Sequence, residues 1–150
     1  MTTPATMAVA KRVFEAANAQ LAAGLSAAGL AAGALPGGVF MAEVHDKALG
    51  LVGEIKSVRL EKVDEVLAGG RIPVLSSLGL NGAGASLNIN ADVAARELAI
   101  ALKPVKVVFI SAGGGWKEGA YCRLLCRAPA YSRSQHVFTR THMHVQRARW

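Results

Sequence analysis

Two runs constrain the fold of this chain more than anything else in it: "RIPVLSSLGL" (71–80) and "VKVVFIS" (105–111). Each is almost wholly apolar over the length of a strand, without the apolar–polar alternation of a sheet that has one wet face. Strands of this kind are buried on both sides, so helices must cover them. Residues 7–30 read as one such helix: Val9, Val13, Ala16/Ala17, Leu21 and Leu25 recur at helical spacing, while Lys11, Arg12, Glu15 and Gln20 are polar. Gly29 and Gly33 offer exits from it, and "LPGG" (35–38) ends it. "GVFMAEV" and "GLVGEIKSV" read as two strands of a hairpin around "HDKAL", with His45 a surface residue of the turn. Residues 59–70 form a short helix with Leu60, Val63 and Val66/Leu67 as its apolar stripe, stopped by Gly69-Gly70. After the turn-rich "NGAGA" comes "SLNINADVAARELAIAL" (86–102), extended and then helical to about Lys103, where Pro104 breaks the helix. This alternation predicts an α/β chain, a three-layer αβα sandwich with a mainly parallel sheet.

Composition narrows the classes. The chain has 150 residues, 52% hydrophobic and 18% charged, which suits one globular domain rather than a disordered chain. No apolar run reaches the roughly 18–20 residues of a membrane helix. The net charge of +7 is unevenly placed. Residues 1–116 hold ten Lys/Arg against nine Asp/Glu, whereas residues 117–150 hold seven against one. The basicity belongs to the tail, so a nucleic-acid partner is not indicated for the body; tail binding to RNA or an acidic surface would be non-specific. The tail has no sustained period, and the change at about Trp116 is the expected domain boundary: 1–116 a folded domain, 117–150 a basic, non-homologous or disordered tail. Cys122, Cys126, His142 and His144 could be drawn together as zinc ligands, but their spacing fits no standard finger, and no metal site is assigned.

The chemistry concentrates in residues 86–92. In an extended segment Leu87, Ile89 and Ala91 point one way while Asn88, Asn90 and Asp92 point the other. Two carboxamides and a carboxylate then form a polar row at the start of a helix whose free N–H groups and dipole favour anions. Carboxamide N–H groups can donate to a carboxylate or phosphoryl oxygen, and a carboxylate can orient a lysine. The plainer alternative is that Asp92 caps the helix and the asparagines satisfy turn backbone. Gly82-Ala83-Gly84 resembles the start of a dinucleotide loop, but Leu87 stands where a third glycine belongs, and Asn81-Gly82 suits a turn between strands better. Gly113-Gly114-Gly115 follows a buried strand, where such sheets bind ligands, or is a simple strand exit.

Taken together, "GGVFMAEVHDKALGLVGEIKSV", "AGGRIPVLSSLG" and "LNINADVAARELAIALKPVKVVFIS" resemble the amino-acid-kinase domain of the acetylglutamate kinases, most closely the mitochondrial type of fungi and related eukaryotes. The resemblance runs over about residues 8–116, and its most specific part is the Asn-x-Asn-x-Asp core with the alanine-rich helix behind it. It implies ATP-dependent phosphorylation of the side-chain carboxylate of N-acetyl-L-glutamate in arginine biosynthesis, with ATP accompanied by Mg2+. It implies that Asn88 holds the acetylglutamate, that Asn90 lines the same pocket, and that Asp92 organises catalytic lysines. A nucleotide-side loop would fall at Ser111 to Gly115. Ser111 and Gly114 carry over only as weak counterparts, because Ser111-Ala112 replaces an acidic or amide residue usual in the family.

The family's first strand with its phosphate-contacting lysine, its early glycine-rich loop and a carboxylate-binding arginine have no counterpart here. Nor does its later nucleotide-binding half with a second lysine. The expectation is therefore a partial domain, inactive by itself. The resemblance also implies a homo-oligomer in the complete protein, arginine as a possible effector, and a mitochondrial location, although Lys11-Arg12 sit in a domain helix rather than a presequence. Two competing readings are an arginine-sensing, non-catalytic domain of an acetylglutamate synthase, and a small basic interaction protein driven by its tail. The intact Asn-x-Asn-x-Asp row favours kinase ancestry over the first.

Overall fold

Thr3 starts the first helix, α1 (Pro4–Ala27), by accepting the Thr6 N–H on its hydroxyl, with Pro4 in the first helical position, where a missing N–H costs nothing. The helix ends at Gly29, whose φ of +82° suits a residue without Cβ. The Gly29 N–H donates to the Ser26 carbonyl and the Leu30 N–H to that of Leu25, which closes the last turn. The computed structural model describes residues 1–108, of which Met1–Leu102 form one unit.

The described residues form, in order, α1, β1 (Ala32–Leu35), β2 (Phe40–Val44), a single 3-10 turn (Lys47–Leu49), β3 (Gly53–Val58), α2 (Glu61–Ala68), β4 (Ile72–Leu75), β5 (Leu78–Leu80), β6 (Ser86–Asn88) and α3 (Ala91–Leu102). The α/β class expected from the sequence is borne out. β1 and β4 pair in parallel as one sheet, and the second sheet has the order β3-β2-β5-β6, with β2–β5 parallel and the two outer pairs antiparallel. α1 and α2 both pack on β1 and β4, α1 also reaches β6, and α3 lies against β3.

The apolar run 71–80, expected as one strand, is two. Chain segments 32–41 and 72–80 run side by side, pairing first as Ala32↔Ile72 to Leu35↔Leu75 and then as Phe40↔Gly79 and Met41↔Leu80. Segment 32–41 carries one residue more between the two stretches, four at Pro36–Val39 against three at Ser76–Leu78, so the parallel ladder is interrupted there. The Ser76 hydroxyl donates to the Pro36 carbonyl across this break. β1 itself is a strand that periodicity does not announce. "AGAL" lacks β-branched residues, and Gly33 is required there because a Cβ would come within 2.7 Å of Val66 Cγ1 on α2.

The core is Val39, Phe40, Ala42, Val63, Leu87, Ile89 and Ala94, with Leu35, Ile55, Leu75, Leu98 and others packed around it. Fully burying a side chain such as Leu87 contributes about 1.5–3 kcal/mol. On α1 the buried face is not the stripe suggested by spacing. Met7, Asn18 and Ala22 are buried, while Val9, Val13 and Leu21 are exposed. The small Ala22 lets the helix approach the sheet, and the Asn18 amide donates to the Val74 carbonyl at 2.8 Å. Val105–Val108, the start of the strand expected over 105–111, are not in a strand, and its remainder lies outside the described residues.

Candidate functional site

Leu87 and Ile89 go into the core, as the alternation requires, so Ser86 and Asn88 are turned to the other side of β6. Asn88 pairs with Leu78 of β5 on one side. On its other side it meets the returning arm of the β2–β3 hairpin: its N–H donates to the Leu51 carbonyl at 2.9 Å, and it forms a bridge with Val52. The Asn88 carboxamide is half-buried and makes no hydrogen bond to any described residue. This hairpin arm beside Asn88 escaped the sequence reading, which saw in Gly50–Val52 only the start of a strand.

The polar row does not stay extended beyond Ile89. The helix begins at Ala91, and its cap is Asn90 rather than Asp92: Asn90 Oδ1 accepts the N–H groups of Asp92 at 2.9 Å and Val93 at 3.0 Å. An asparagine wins this position because its short side chain reaches back to the second and third helical N–H groups. Two of the N–H groups expected to be free for an anion are therefore satisfied within the chain. Ala91, expected on the apolar side, is exposed because the turn into the helix rotates it away from the core. Asp92 lies in the first turn of α3, where its charge suits the helix dipole. It makes no ion pair among the described residues.

An open cleft of about 230 Å³ lies beyond the carboxyl ends of β1 and β4. Pro36, Gly37 and Gly38, Lys11 and Glu15 of α1, Lys62 of α2, β5 and Ser86 line it. Ser86, which lines the cleft, and Asn88, two residues on, share a side of β6. The carboxyl ends of parallel strands are where open α/β sheets bind ligands. The "NGAGA" segment is a turn, as expected: Asn81 Oδ1 accepts from the Ala83 and Ala85 N–H groups between the antiparallel β5 and β6, and the positive φ falls at Gly84. His45 is exposed at the hairpin end. Ser111, Gly114 and the glycine run lie outside the described residues, as do the tail cysteines and histidines and the boundary at about Trp116. Among the described residues no group of three His, Cys, Asp or Glu side chains could hold a metal ion.

A domain of two parallel-paired segments, a hairpin laid against a carboxamide and an asparagine-capped helix matches a known class. The model of the amino acid kinase family matches residues 1–115, and the chain belongs to that family. It is similar to the acetylglutamate kinase of Xylella fastidiosa, at 45% identity over 116 residues, covering 77% of this chain and 28% of that protein. It is also similar to the mitochondrial bifunctional protein argC of Dictyostelium discoideum, at 37% identity, covering 79% of this chain and 14% of that one. The mitochondrial protein arg11 of Schizosaccharomyces pombe is 40% identical over 115 residues, covering 76% of this chain and 13% of the relative. The chain thus spans under a third of the length of these relatives. Among solved structures, smu.665 from Streptococcus mutans UA159 superposes with a TM-score of 0.54 at 32% identity, covering 59% of this chain and 38% of that one. The chain is therefore an acetylglutamate-kinase-like amino-acid-kinase domain.

Proposed function

We propose that this chain carries the acetylglutamate-binding side of an acetylglutamate kinase. In the complete reaction a side-chain carboxylate oxygen of N-acetyl-L-glutamate bonds to the γ-phosphorus of ATP as the β–γ bridge breaks. The products are an acyl phosphate and ADP. Such a transfer needs positioning and charge neutralisation more than covalent assistance. Asn88 is the residue that carries this reading: half-buried, its carboxamide without a partner among the described residues, on the same side of β6 as Ser86, which lines the cleft with Lys11 and Lys62. Its N–H pair is free to hold a carboxylate or acetyl oxygen. Asn90 contributes its amide N–H groups from the neighbouring position, since its oxygen is committed to the helix.

Asp92 is assigned to orient cationic groups at the phosphoryl position. Ser111 and Gly114 are proposed for the nucleotide side. The family match ending at residue 115 supports a kinase-like portion over 1–116, with 117–150 appended. The mitochondrial names of the Dictyostelium and fungal relatives support a mitochondrial location. The exposed apolar stripe Val9, Val13 and Leu21 on α1 supports a homo-oligomer.

The test is a titration of the isotopically labelled chain with N-acetyl-L-glutamate, followed by the Asn88 carboxamide resonances. A saturable shift, absent in Asn88→Ala, is expected. A response to L-arginine and none to N-acetyl-L-glutamate would replace the kinase reading with the arginine-sensing one.

A further inference from the structure

We infer that Gly50 is a positioning residue for Asn88. This rests on the reading of Asn88 as a substrate-binding group, but the geometry behind it stands separately. Gly50 has φ +74° and ψ −133°, the mirror image of an extended conformation, which a residue with an L side chain rarely adopts. A Cβ at this position would also overlap the Thr2 carbonyl oxygen and come within 3.0 Å of Met1 Cγ. Gly50 is therefore required twice, by its backbone conformation and by the close passage of another chain segment.

What this conformation secures is a ladder of three segments. The Thr2 N–H donates to the Leu49 carbonyl at 2.8 Å, and the Leu51 N–H returns to the Thr2 carbonyl at 2.8 Å. On its other side the Leu51 carbonyl accepts the Asn88 N–H at 2.9 Å. Residue 51 is thus held from the N-terminal segment and itself holds Asn88. The further backbone support of Asn88 is the bridge with Val52, on the same hairpin arm, and its pairing with Leu78. Turning the chain at Gly50 brings Leu51 into this middle position; without that turn the hairpin arm would pass Asn88 unanchored. The core residues Leu87 and Ile89 on either side would stay in place, so the effect is on the orientation of Asn88 rather than on the fold.

The experiment compares amide exchange and side-chain resonances in the 150-residue chain and in Gly50→Ala. Exchange at Thr2, Leu51 and Asn88 should accelerate about tenfold or more. Ile72, whose N–H donates to the Ala31 carbonyl on the far side of the domain, should keep its protection. Gly84→Ala is the control, since Gly84 also has a positive φ but meets nothing within 4 Å. It should lose stability through the same kind of strain and leave Asn88 protected. Thr2→Pro, which removes the Thr2 N–H and leaves Gly50 intact, should loosen Leu51 and Asn88 in the same order and serves if Gly50→Ala does not fold. Unchanged protection of Asn88 in Gly50→Ala or, where that variant does not fold, in Thr2→Pro would overturn the inference, as would equal deprotection in Gly84→Ala. N-acetyl-L-glutamate is then added: it should shift the Asn88 carboxamide in the parent chain and not in Gly50→Ala. Loss of protection without any shift in the parent chain would leave Gly50 as the residue that positions Asn88 and remove the substrate reading instead.

Discussion

Asn88 and Asn90 are separated by one residue and do different work. Asn90 Oδ1 closes two N–H groups of α3, so Asn90→Ala should cost about 1 kcal/mol in urea unfolding, while Asn90→Asp keeps the cap. The Asn88 side chain has no partner among the described residues, so Asn88→Ala should leave the unfolding midpoint nearly unchanged and abolish N-acetyl-L-glutamate binding. A midpoint loss as large as that of Asn90→Ala would show that the Asn88 carboxamide is structural. On the hairpin, Lys56 lowers the pKa of Glu54 by hydrogen bonding and charge, with His45 adding to it, and Glu54 raises that of Lys56. A lowered carboxylate pKa contributes stability that is present above its unfolded value and is lost as pH falls through the folded one. The raised lysine pKa contributes below its unfolded value and is lost as pH rises through the folded one. Both side chains are solvent-exposed, so the contribution is small and screened by salt. Melting temperatures taken between about pH 5 and pH 3 should fall slightly more steeply in the parent chain than in Lys56→Ala.

At the scale of elements, the contact between α2 and β1 depends on one missing side chain. Gly33→Ala places a methyl group against Val66 and should destabilise by about 1–3 kcal/mol. Val66→Ala in the same chain should recover part of that loss, and a double-mutant cycle measures the coupling. Additive losses would mean that α2 shifts away instead. This pair also shows why β1 was hidden in the sequence. "AGAL" carries neither a period nor β-branched residues, because its identity is set by a helix more than thirty positions away. The hairpin, by contrast, was legible from its apolar runs and turn, and both of the first two helices stop where glycines permit φ above zero. α3 was legible in extent but not in its cap. Asn90 and Asp92 are both good capping residues, and the choice between them depends on where β6 must end to keep Ile89 in the core.

For the molecule as a whole, the exposed stripe of α1 makes a further expectation. Val13→Glu should leave the monomer's unfolding unchanged and lower the mass measured by light scattering if copies associate through this face. An unchanged mass would separate the stripe from self-association. The sequence by itself determined the α/β class, the hairpin, the alternation that sends Leu87 and Ile89 inward, and the family, because local periodicity and residue identity act over a few positions. It did not determine that 71–80 divides between two sheets, that α1 buries Asn18 and leaves Val13 exposed, or that Gly50 and Thr2 hold the segment next to Asn88. Those outcomes depend on contacts between segments tens of residues apart, where the space left by one chain decides what the other can place there.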